Sequence, residues 1–370
     1  MAKVAATIKI EDEDALDLFD DLLEMEVEED HRLAAAFRIR VTSTRGADGL
    51  WRYLDDERVK LWNKLAVTVT ADDEEQELVS GYVTHLRASI AAAEEGSWVE
   101  ILGMDQTCLM ALEEKVKDWP GKSDSDIARE VFQTYGLGAE VEETGVMREE
   151  AVNTTMQRET DIRFLKRLAR RNGFDCFVRE GKGYFRKPVL TDPPHPTLAA
   201  HFGDETTLTA FEAKADALRP TRVEAHQLDV IAKEFQAATV EASAFRPLGR
   251  DVALSLSPPE GVEARLLVRH AVGTTVAEME NLSAALLEEA GWFVEGRGEV
   301  DTSVYGAVLR ARGLVPVKGV GEAFSGLYYL TSVRHVFGGD RYVQHFRGRR
   351  NALAPTGPAD FAGGDSLFGL

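Results

Sequence analysis

Residues 153–186 read NTTMQRETDIRFLKRLARRNGFDCFVREGKGYFR, and this stretch decides the fold prediction. Its apolar residues recur at helical spacing and form one stripe, which predicts an amphipathic helix. The stripe consists of Ile162, Leu165, Leu168 and Ala169. Glu159 or Thr160 can open this helix, and Gly173 is the expected stop residue.

A β-hairpin is predicted directly after the helix. Its first strand shows period-two alternation at Phe174, Cys176 and Val178. The run Gly181-Lys182-Gly183 supplies the turn, and Tyr184-Phe185 starts the return strand. Helix and hairpin together predict a small α+β module.

Five basic residues fill the other face of the predicted helix and crowd its last turn, where cations suit the helix dipole. They are Arg163, Lys166, Arg167, Arg170 and Arg171. A nucleic-acid contact is one interpretation. A solvated face or a contact with an acidic neighbour is the other, and it fits the acidic composition of the chain better.

The bulk composition is that of a soluble globular protein with two or three domains. The chain has 370 residues, of which 44% are hydrophobic and 29% charged. Its formal charge is -20, and residues 1–30 hold 12 Asp and Glu against Lys3 and Lys9. This charge argues against free nucleic acid or an anionic membrane as a general partner.

Cysteine usage and the N-terminus predict folding in the cytoplasm. The two cysteines, Cys108 and Cys176, are too few for a disulfide framework, which favours a reducing compartment. The start MAKVAATIKIEDED has no apolar signal region, and no apolar run reaches the roughly 18–20 residues of a membrane helix.

The first 33 residues predict strands whose edge is guarded by carboxylates. Val4, Ile8 and Ile10 suggest one strand, and Leu23, Met25 and Val27 alternate with glutamates in another. Calcium binding by the run EDEDALDLFDD is the alternative, but the run lacks the glycine and ligand spacing of an EF-hand loop.

Further along, β-rich regions flank the module. Residues 34–110 alternate over four strand candidates and predict a barrel or sandwich. A helix capped by Ser123 or Ser125 follows, and residues 189–204, which hold three prolines, predict a linker. A second β region then contains a helix at 276–290.

No pattern in the sequence indicates catalysis, a cofactor or a metal. The chain has no GxxxxGK[ST] loop, no GxSxG motif and no HExxH motif. If Gly338-Gly339 forms a two-residue hairpin loop, His335 faces Tyr342 rather than His345, which disfavours a metal pair. We therefore expect a protein that is not an enzyme.

Three regions, in this order, resemble the phage late control gene D family. Gly81-Tyr82-Val83-Thr84 precedes a strand ending in Gly103-Met104-Asp105, the stretch 157–173 follows, and FSGLYYLTSVRHVFGGDRYVQHFRGRRN occupies 324–351. Members of this family are the central hubs of contractile tail baseplates. They are related to the N-terminal part of the valine-glycine repeat protein G of type VI secretion.

The resemblance implies an α+β, mainly β fold with two tube-like antiparallel β-barrels. The first barrel is expected at 1–115 with an acidic N-terminal edge, the inserted α+β module at 116–188, and the second barrel at 189–351. Three chains are expected to form a homotrimeric ring whose six barrels match a sixfold inner tube, while the ring stays threefold for the spike. The two halves share no obvious sequence repeat.

The tail 352–370 is expected to be flexible. In the valine-glycine repeat relatives an OB-fold and a β-helix follow the second barrel, so the resemblance implies a separate spike protein here. If the tail docks onto that spike, Phe361, Leu367 and Phe368 are the expected anchors.

A structural baseplate hub of a contractile injection system or phage tail is the function these features favour. The resemblance implies an inner tube protein, a spike protein and other baseplate proteins as partners, and neither a membrane nor direct nucleic-acid binding is expected. A baseplate-associated peptidoglycan hydrolase, which needs a pocket with two carboxylates, is one alternative. An unrelated soluble β-rich binding module is the other.

Overall fold

β-strands build most of the molecule, and they pair mainly in antiparallel ladders. The structure is a computed structural model that describes residues 4–71, 74–92, 96–146, 154–229, 233–256, 258–268, 275–339 and 341–356.

The helices are α1 (Asp17–Asp20), α2 (Asp124–Thr134), α3 (Asp161–Asn172), α4 (Val276–Gly291) and α5 (Thr302–Tyr305). The strands up to the end of the module are β1 (Val4–Ile10), β2 (Glu13–Asp14), β3 (Leu22–Asp30), β4 (Ala36–Thr42), β5 (Lys64–Ala71), β6 (Glu74–Ser89), β7 (Trp98–Asp105), β8 (Glu114–Trp119), β9 (Gly138–Val141), β10 (Thr155–Thr160), β11 (Asp175–Arg179) and β12 (Lys182–Arg186).

The remaining strands are β13 (Leu198–Ala199), β14 (Leu208–Ala215), β15 (Arg222–Asp229), β16 (Glu234–Val240), β17 (Asp251–Val252), β18 (Arg265–Val268), β19 (Val294–Asp301), β20 (Leu314–Lys318), β21 (Gly326–Gly338), β22 (Arg341–Arg350) and β23 (Ala352–Leu353). The predicted α+β, mainly β class is confirmed.

One 13-stranded sheet organises the molecule. Its main path runs β14-β19-β22-β21-β3-β4-β7-β6-β5-β1-β2, and β20 pairs with β21 and with β13 beside this path. Among the described residues these ladders form an open path, so they do not by themselves close either half of the chain into a cylinder.

The strand order of this path repeats. We call β3, β4, β6 and β7 the first repeat, and β14, β19, β21 and β22 the second repeat. In each repeat the first, second, fourth and third strands lie side by side in that order. The two repeats are joined head to tail, because the third strand of the second repeat, β21, pairs antiparallel with the first strand of the first repeat, β3.

The irregularities of the ladders repeat as well. In both repeats the ladder of the first and second strands shifts by one residue, and so does the ladder of the third and fourth strands. The shifts lie between Leu22 and Glu24, Leu208 and Ala210, Val83 and His85, and Leu330 and Ser332. A bulge is a local departure from regular strand pairing. Because both repeats have a bulge at each of two equivalent places, the four bulges establish a structural duplication.

Aligning the bulges places residues 82–87 (YVTHLR) on 329–334 (YLTSVR). The two halves thus contain a short repeat, which corrects the expectation that they share no obvious one. The elements β15 to β18 and α4 lie between β14 and β19, whereas only a short connection separates β3 from β4. The spacing between equivalent strands therefore differs, which hides the repeat.

The predicted carboxylate-guarded edge is wrong for the second N-terminal strand. β3 lies inside the sheet between β4 and β21, with Met25 opposite both Ile39 and Phe337. Its alternating glutamates face arginines on neighbouring strands rather than solvent at an edge. Charge alternation thus indicated cross-strand pairing in this case.

Three large apolar clusters fill the interior. The first lies within residues 8–101 and adds Val308 and Phe337, the second lies within 110–185, and the third lies within 198–346. Because Val308 and Phe337 join the first cluster from beyond the predicted boundaries at 115 and 188, the clusters do not test that division, which stays a prediction. The predicted linker 189–204 is packed: Leu190 and Leu198 are buried, and β13 pairs with β20.

The module has the predicted helices. Ser123 caps α2 in a reciprocal bond with Asp126, and Gly173, with φ 67°, ends α3. The predicted turn Gly181-Lys182-Gly183 is wrong in its bounds: Glu180 and Gly181 both have positive φ and form the turn, so Lys182 already lies in β12.

The last predicted hairpin loop also needs correction. Gly338 pairs with Arg341, so Gly338 belongs to β21 rather than to a Gly338-Gly339 loop. In this register His335 faces Gln344. The predicted neighbour, Tyr342, lies diagonally across and shares a 2.7 Å hydrogen bond with His335 Nδ1.

Candidate functional site

The duplicated sheet presents one polar, solvent-facing side, which we call the polar face. On it, acidic and basic side chains alternate from strand to strand. Its residues in the first repeat are Glu24, Glu26, Glu28, Arg38, Arg40, Arg87 and Glu100, and in the second repeat Glu212, Lys214, Glu295, Arg297, Glu299, Arg334, His345 and Arg347. The opposite side packs on the apolar clusters.

Cross-strand ion pairs order the polar face of the first repeat. Arg38 lies 2.8 Å from Glu24 and 3.0 Å from Glu26, and Arg40 lies 2.8 Å from Glu100. Burial raises the pKa of Glu100, but hydrogen bonds and charges from Arg40 and Arg38 outweigh it, so the pKa is lowered. Glu100 therefore stays ionised beside the guanidinium groups of Arg38 and Arg40.

The second repeat continues the pattern. Arg297 Nε donates to Glu212 at 3.1 Å, Lys214 lies 2.9 Å from Glu295, and Arg334 reaches Glu26 across the joint between the repeats at 3.9 Å. Although the chain carries a net charge of -20, this face balances carboxylates with cations. A surface with balanced charges suits contact with another protein or with a neutral surface better than binding of a polyanion.

A buried carboxylate lies where the repeats and the module meet. Glu29 of β3 is 3% exposed, and it accepts hydrogen bonds from Arg310 at 2.9 and 3.0 Å and from Arg179 at 3.1 Å. The amide of Ala311 adds a fourth bond at 3.2 Å. Glu29 thereby links β3, the module hairpin and the segment before β20.

The protonation of this junction follows from burial and charge. Burial favours the neutral acid of Glu29, yet Arg310 and Arg179 outweigh it and hold its pKa well below the ordinary value. Burial lowers the pKa of the neighbouring His335 to about 3. The junction thus carries an ionised glutamate between two arginines, beside a neutral histidine.

A cleft of about 390 Å³ adjoins the junction, and its lining includes Glu29, Glu77, Asp105 and Arg312. Asp105 accepts hydrogen bonds from the amides of Ala35 and Thr107 and from the Thr107 hydroxyl. Burial raises the pKa of Asp105. The bonds of Glu29 and Asp105 hold backbone and neighbouring strands together, which is a structural use of both carboxylates.

The basic face of α3 contacts acidic neighbours. Arg171 forms an ion pair with the buried Asp124 of α2, and Arg167 Nε donates to Glu159 at 2.6 Å. Lys166 donates to the carbonyl of Arg32 at 2.6 Å. These contacts favour the interpretation of acidic and backbone partners over nucleic acid for the three residues.

The other sequence-based candidates separate in the structure. His335 and His345 lie on opposite sides of the sheet, the first buried and the second on the polar face. The described residues contain no group of three or more His, Cys, Asp or Glu able to hold a metal ion. The predicted docking residues Phe361, Leu367 and Phe368 lie outside the described residues.

The polar face and Glu29 were not predicted from the sequence. The available signal was a charged residue at every second position, glutamate in 24–28 and arginine in 38–40. Opposite charges with this spacing on successive strands predict cross-strand pairs. None of the helices in the described part of the chain is long and apolar enough to span a membrane.

The whole architecture occurs in solved phage tail proteins. The 43 kDa tail protein of prophage MuSo2 from Shewanella oneidensis aligns with a TM-score of 0.69 and 13% identity, over 95% of this chain and 100% of that chain. A tail protein from Neisseria meningitidis MC58 aligns with a TM-score of 0.67 and 12% identity, over 95% and 99%.

An Escherichia coli component of the type VI secretion system aligns with a TM-score of 0.53 and 11% identity, over 97% of this chain and 78% of that chain. No curated protein matches the sequence. The fold is therefore that of phage tail proteins and their type VI secretion counterparts.

The chain belongs to the Alg8 N-terminal domain family, whose model matches residues 3–338. This family has a different name from the late control gene D family that the sequence resembles.

Proposed function

We propose that this chain is a non-enzymatic structural hub of a contractile injection system or phage tail, of the late control gene D type. Three copies form a ring that joins a sixfold inner tube to a threefold spike. The observation that carries this proposal is the structural duplication, in which the two repeats share strand order and four matching bulges.

The duplication supports the proposal through symmetry. A tube of sixfold symmetry offers six equivalent contacts, and a spike of threefold symmetry offers three. Closed assemblies of identical chains follow point-group symmetry, so three chains with two similar repeats each present six similar units and still retain a threefold axis. A chain with one repeat lacks this property.

The known relatives of the fold support the same setting. The Escherichia coli protein is described as a type VI secretion component with structural similarity to the bacteriophage T4 tail proteins gp27 and gp5. A Francisella protein of the same fold was solved as a PdpA–VgrG complex. By analogy, the partners proposed for this chain are an inner tube protein, a spike protein and further baseplate proteins.

The hydrogen bonds of Glu29 and Asp105 favour a structural role for these two cleft carboxylates over a hydrolytic one. A hydrolase of glycosidic bonds needs one carboxylate poised as acid and a second as base or nucleophile. In the cleft, Glu29 is held between two arginines and Asp105 is held by two amides and a hydroxyl.

The mass of the purified protein in solution tests the proposal. Light scattering is measured on the chain alone and after addition of candidate spike and tube proteins from the same particle. The expected result is a mass three times the 40.8 kDa of one chain for the chain alone, or that mass plus the mass of the bound spike when the spike is added. A chain that stays monomeric with both partners at high concentration overturns the proposal.

A further inference from the structure

The long strand β6 has one edge that is only partly covered. β5 pairs with it from Glu74 to Tyr82, and the backbone of 62–63 covers Val83. Among the described residues, no strand pairs with this edge from His85 to Ser89. The backbone groups along this edge are therefore available for a further strand.

The equivalent strand of the second repeat shows what covers such an edge. β20 pairs with β21 from Gly326 to Tyr329, as β5 does on β6, and β3 then pairs with β21 from Ser332 to Phe337. The first strand of one repeat thus completes the edge of the third strand of the other.

At the opposite end of the sheet, β14 also has an open edge. It pairs with β19 on one side, and within the described residues no strand lies on its other side. β14 is the equivalent of β3, the strand that forms the joint inside the chain. Each chain therefore has the two strand edges that a second joint needs. They are the free edge of β6 and the open edge of β14, which lie toward opposite ends of its sheet.

From this relationship we propose that β14 of one copy pairs antiparallel with the free edge of β6 of the next copy, in the register of the β3–β21 joint. This inference rests on the proposed ring and names the contact that closes it. Head-to-tail contacts between identical chains give a closed ring when the rotation per joint fits.

The register follows from the bulges. Thr84 is equivalent to Thr331, and Leu23 to Thr209. Inside the chain Val336 faces Glu26, so between chains Ser89 faces the Glu212 of the next copy. The side chains of both residues lie on the polar face.

Apolar matching supports this register. Inside the chain Phe337 faces Met25, and both are buried. The equivalent pair between chains is Ile90 and Phe211. Ile90 is 50% exposed in the single chain, and the joint places it against the partly exposed ring of Phe211.

Charge distinguishes the two joints. Inside the chain Arg334 faces Glu28, whereas between chains Arg87 faces Lys214. Glu100 lies 3.8 Å from Arg87 and Glu295 lies 2.9 Å from Lys214, so each cation has a carboxylate beside it. Like charges directly opposite each other weaken a strand pair, so the joint between copies is the weaker of the two.

Disulfide trapping tests the register. Antiparallel pairs alternate between hydrogen-bonded and non-hydrogen-bonded, and side chains approach more closely in the second kind. The bond from His31 N to Thr331 O, 2.8 Å long, marks 31 and 331 as a hydrogen-bonded pair. Counting from it, Glu26 and Val336 form a non-hydrogen-bonded pair, and so do Ser89 and Glu212 of neighbouring copies.

The variant Ser89→Cys/Glu212→Cys is oxidised in the assembly identified by light scattering and run on a non-reducing gel. Covalent dimers and trimers that collapse to monomer on reduction are expected. Each single variant is a control, as is Ser89→Cys/Ala213→Cys, in which the two thiols point to opposite faces of the sheet. The native Cys108 and Cys176 are buried.

A trimer by light scattering that gives no covalent trimer, or that links equally well in the shifted control, overturns the register and leaves the ring standing. A chain without any trimer overturns both. Lys214→Glu, which restores the charge that Glu28 has inside the chain, is expected to raise the trimeric fraction at a given concentration. A fall in that fraction counts against the joint.

Discussion

Thr84 and Thr331 make the same hydrogen bond in the two repeats. Thr84 Oγ1 donates to the carbonyl of Leu102 at 3.4 Å, and Thr331 Oγ1 donates to the carbonyl of Arg347 at 3.2 Å. Both threonines occupy a bulge, where the ladder leaves one residue unpaired. The duplication therefore extends from strand order to single side-chain contacts.

Gly103 and Gly348 are equivalent and differ in the space around them. A Cβ at Gly103 meets Phe37 at 2.1 Å and the Tyr82 carbonyl at 2.3 Å, while one at Gly348 meets Tyr328 at 3.1 Å. We expect Gly103→Ala to lower the free energy of unfolding by about 1–3 kcal/mol or more, as overpacking does. Gly348→Ala should cost clearly less. Urea unfolding measures both, and equal losses contradict the packing described.

Removing the buried charge of Glu29 should destabilise the junction strongly. Glu29→Gln leaves Arg310 and Arg179 buried without their anion, and breaking a buried ion pair in this way costs about 3–5 kcal/mol. Glu28→Gln, one residue earlier and exposed on the polar face, is the matched control and should change stability by less than about 0.5 kcal/mol. Similar unfolding midpoints for the two variants would show that the junction contributes little.

Lowering the pH below the ordinary histidine pKa of about 6.5 should destabilise the fold. Burial lowers the pKa of His335 to about 3, and that of His31 and His195 to about 4. The unfolded chain takes up protons near the ordinary value of about 6.5, whereas the folded chain does not. Stability is therefore full above about pH 6.5 and is lost as the pH falls toward 4.

The slope of the unfolding free energy against pH tests the contribution of His335. His335→Gln should reduce it by about 1.4 kcal/mol per pH unit between about pH 6 and 4, since one group fewer takes up a proton on unfolding. His345→Gln, on the polar face, is the comparison variant. Unfolding free energies measured across this range decide the point, and an unchanged slope in His335→Gln contradicts it.

Tyr329 connects the second repeat to the module. Its hydroxyl donates to Asp175 Oδ2 at 2.5 Å, and both residues are buried. Tyr329→Phe takes this donor from a buried carboxyl group, which should lower the unfolding free energy by about 1–3 kcal/mol. The equivalent Tyr82→Phe, where the side chain is partly exposed, should change it by less than about 0.5 kcal/mol. Equal effects would argue against this link.

Local patterns predicted the elements well. Helical spacing and capping residues gave α2, α3 and α4 to within one or two residues, because these signals act over a single turn. The hairpin turns were less accurate. Several glycines stood near each turn, and the choice between Gly181 and Gly183, or between Gly338 and Gly339, depends on the register of the strands.

Long-range features could not be predicted in the same way. The pairing of β21 with β3 joins residues about 300 positions apart, and no local pattern encodes it. The repeat at 82–87 and 329–334 was present in the sequence, but only the bulges show that these short segments are equivalent. Glu29 resembled its neighbours Glu26 and Glu28 until the sheet placed it on the buried side.

The most direct test of the hub proposal is a top view of the assembled particle by electron microscopy. Class averages of the purified assembly are calculated without imposed symmetry. A ring with six similar lobes and threefold rotational symmetry is the predicted result, because each of three chains contributes two repeats. A ring with another number of lobes, or particles of one chain with two lobes in the presence of tube and spike proteins, would contradict it.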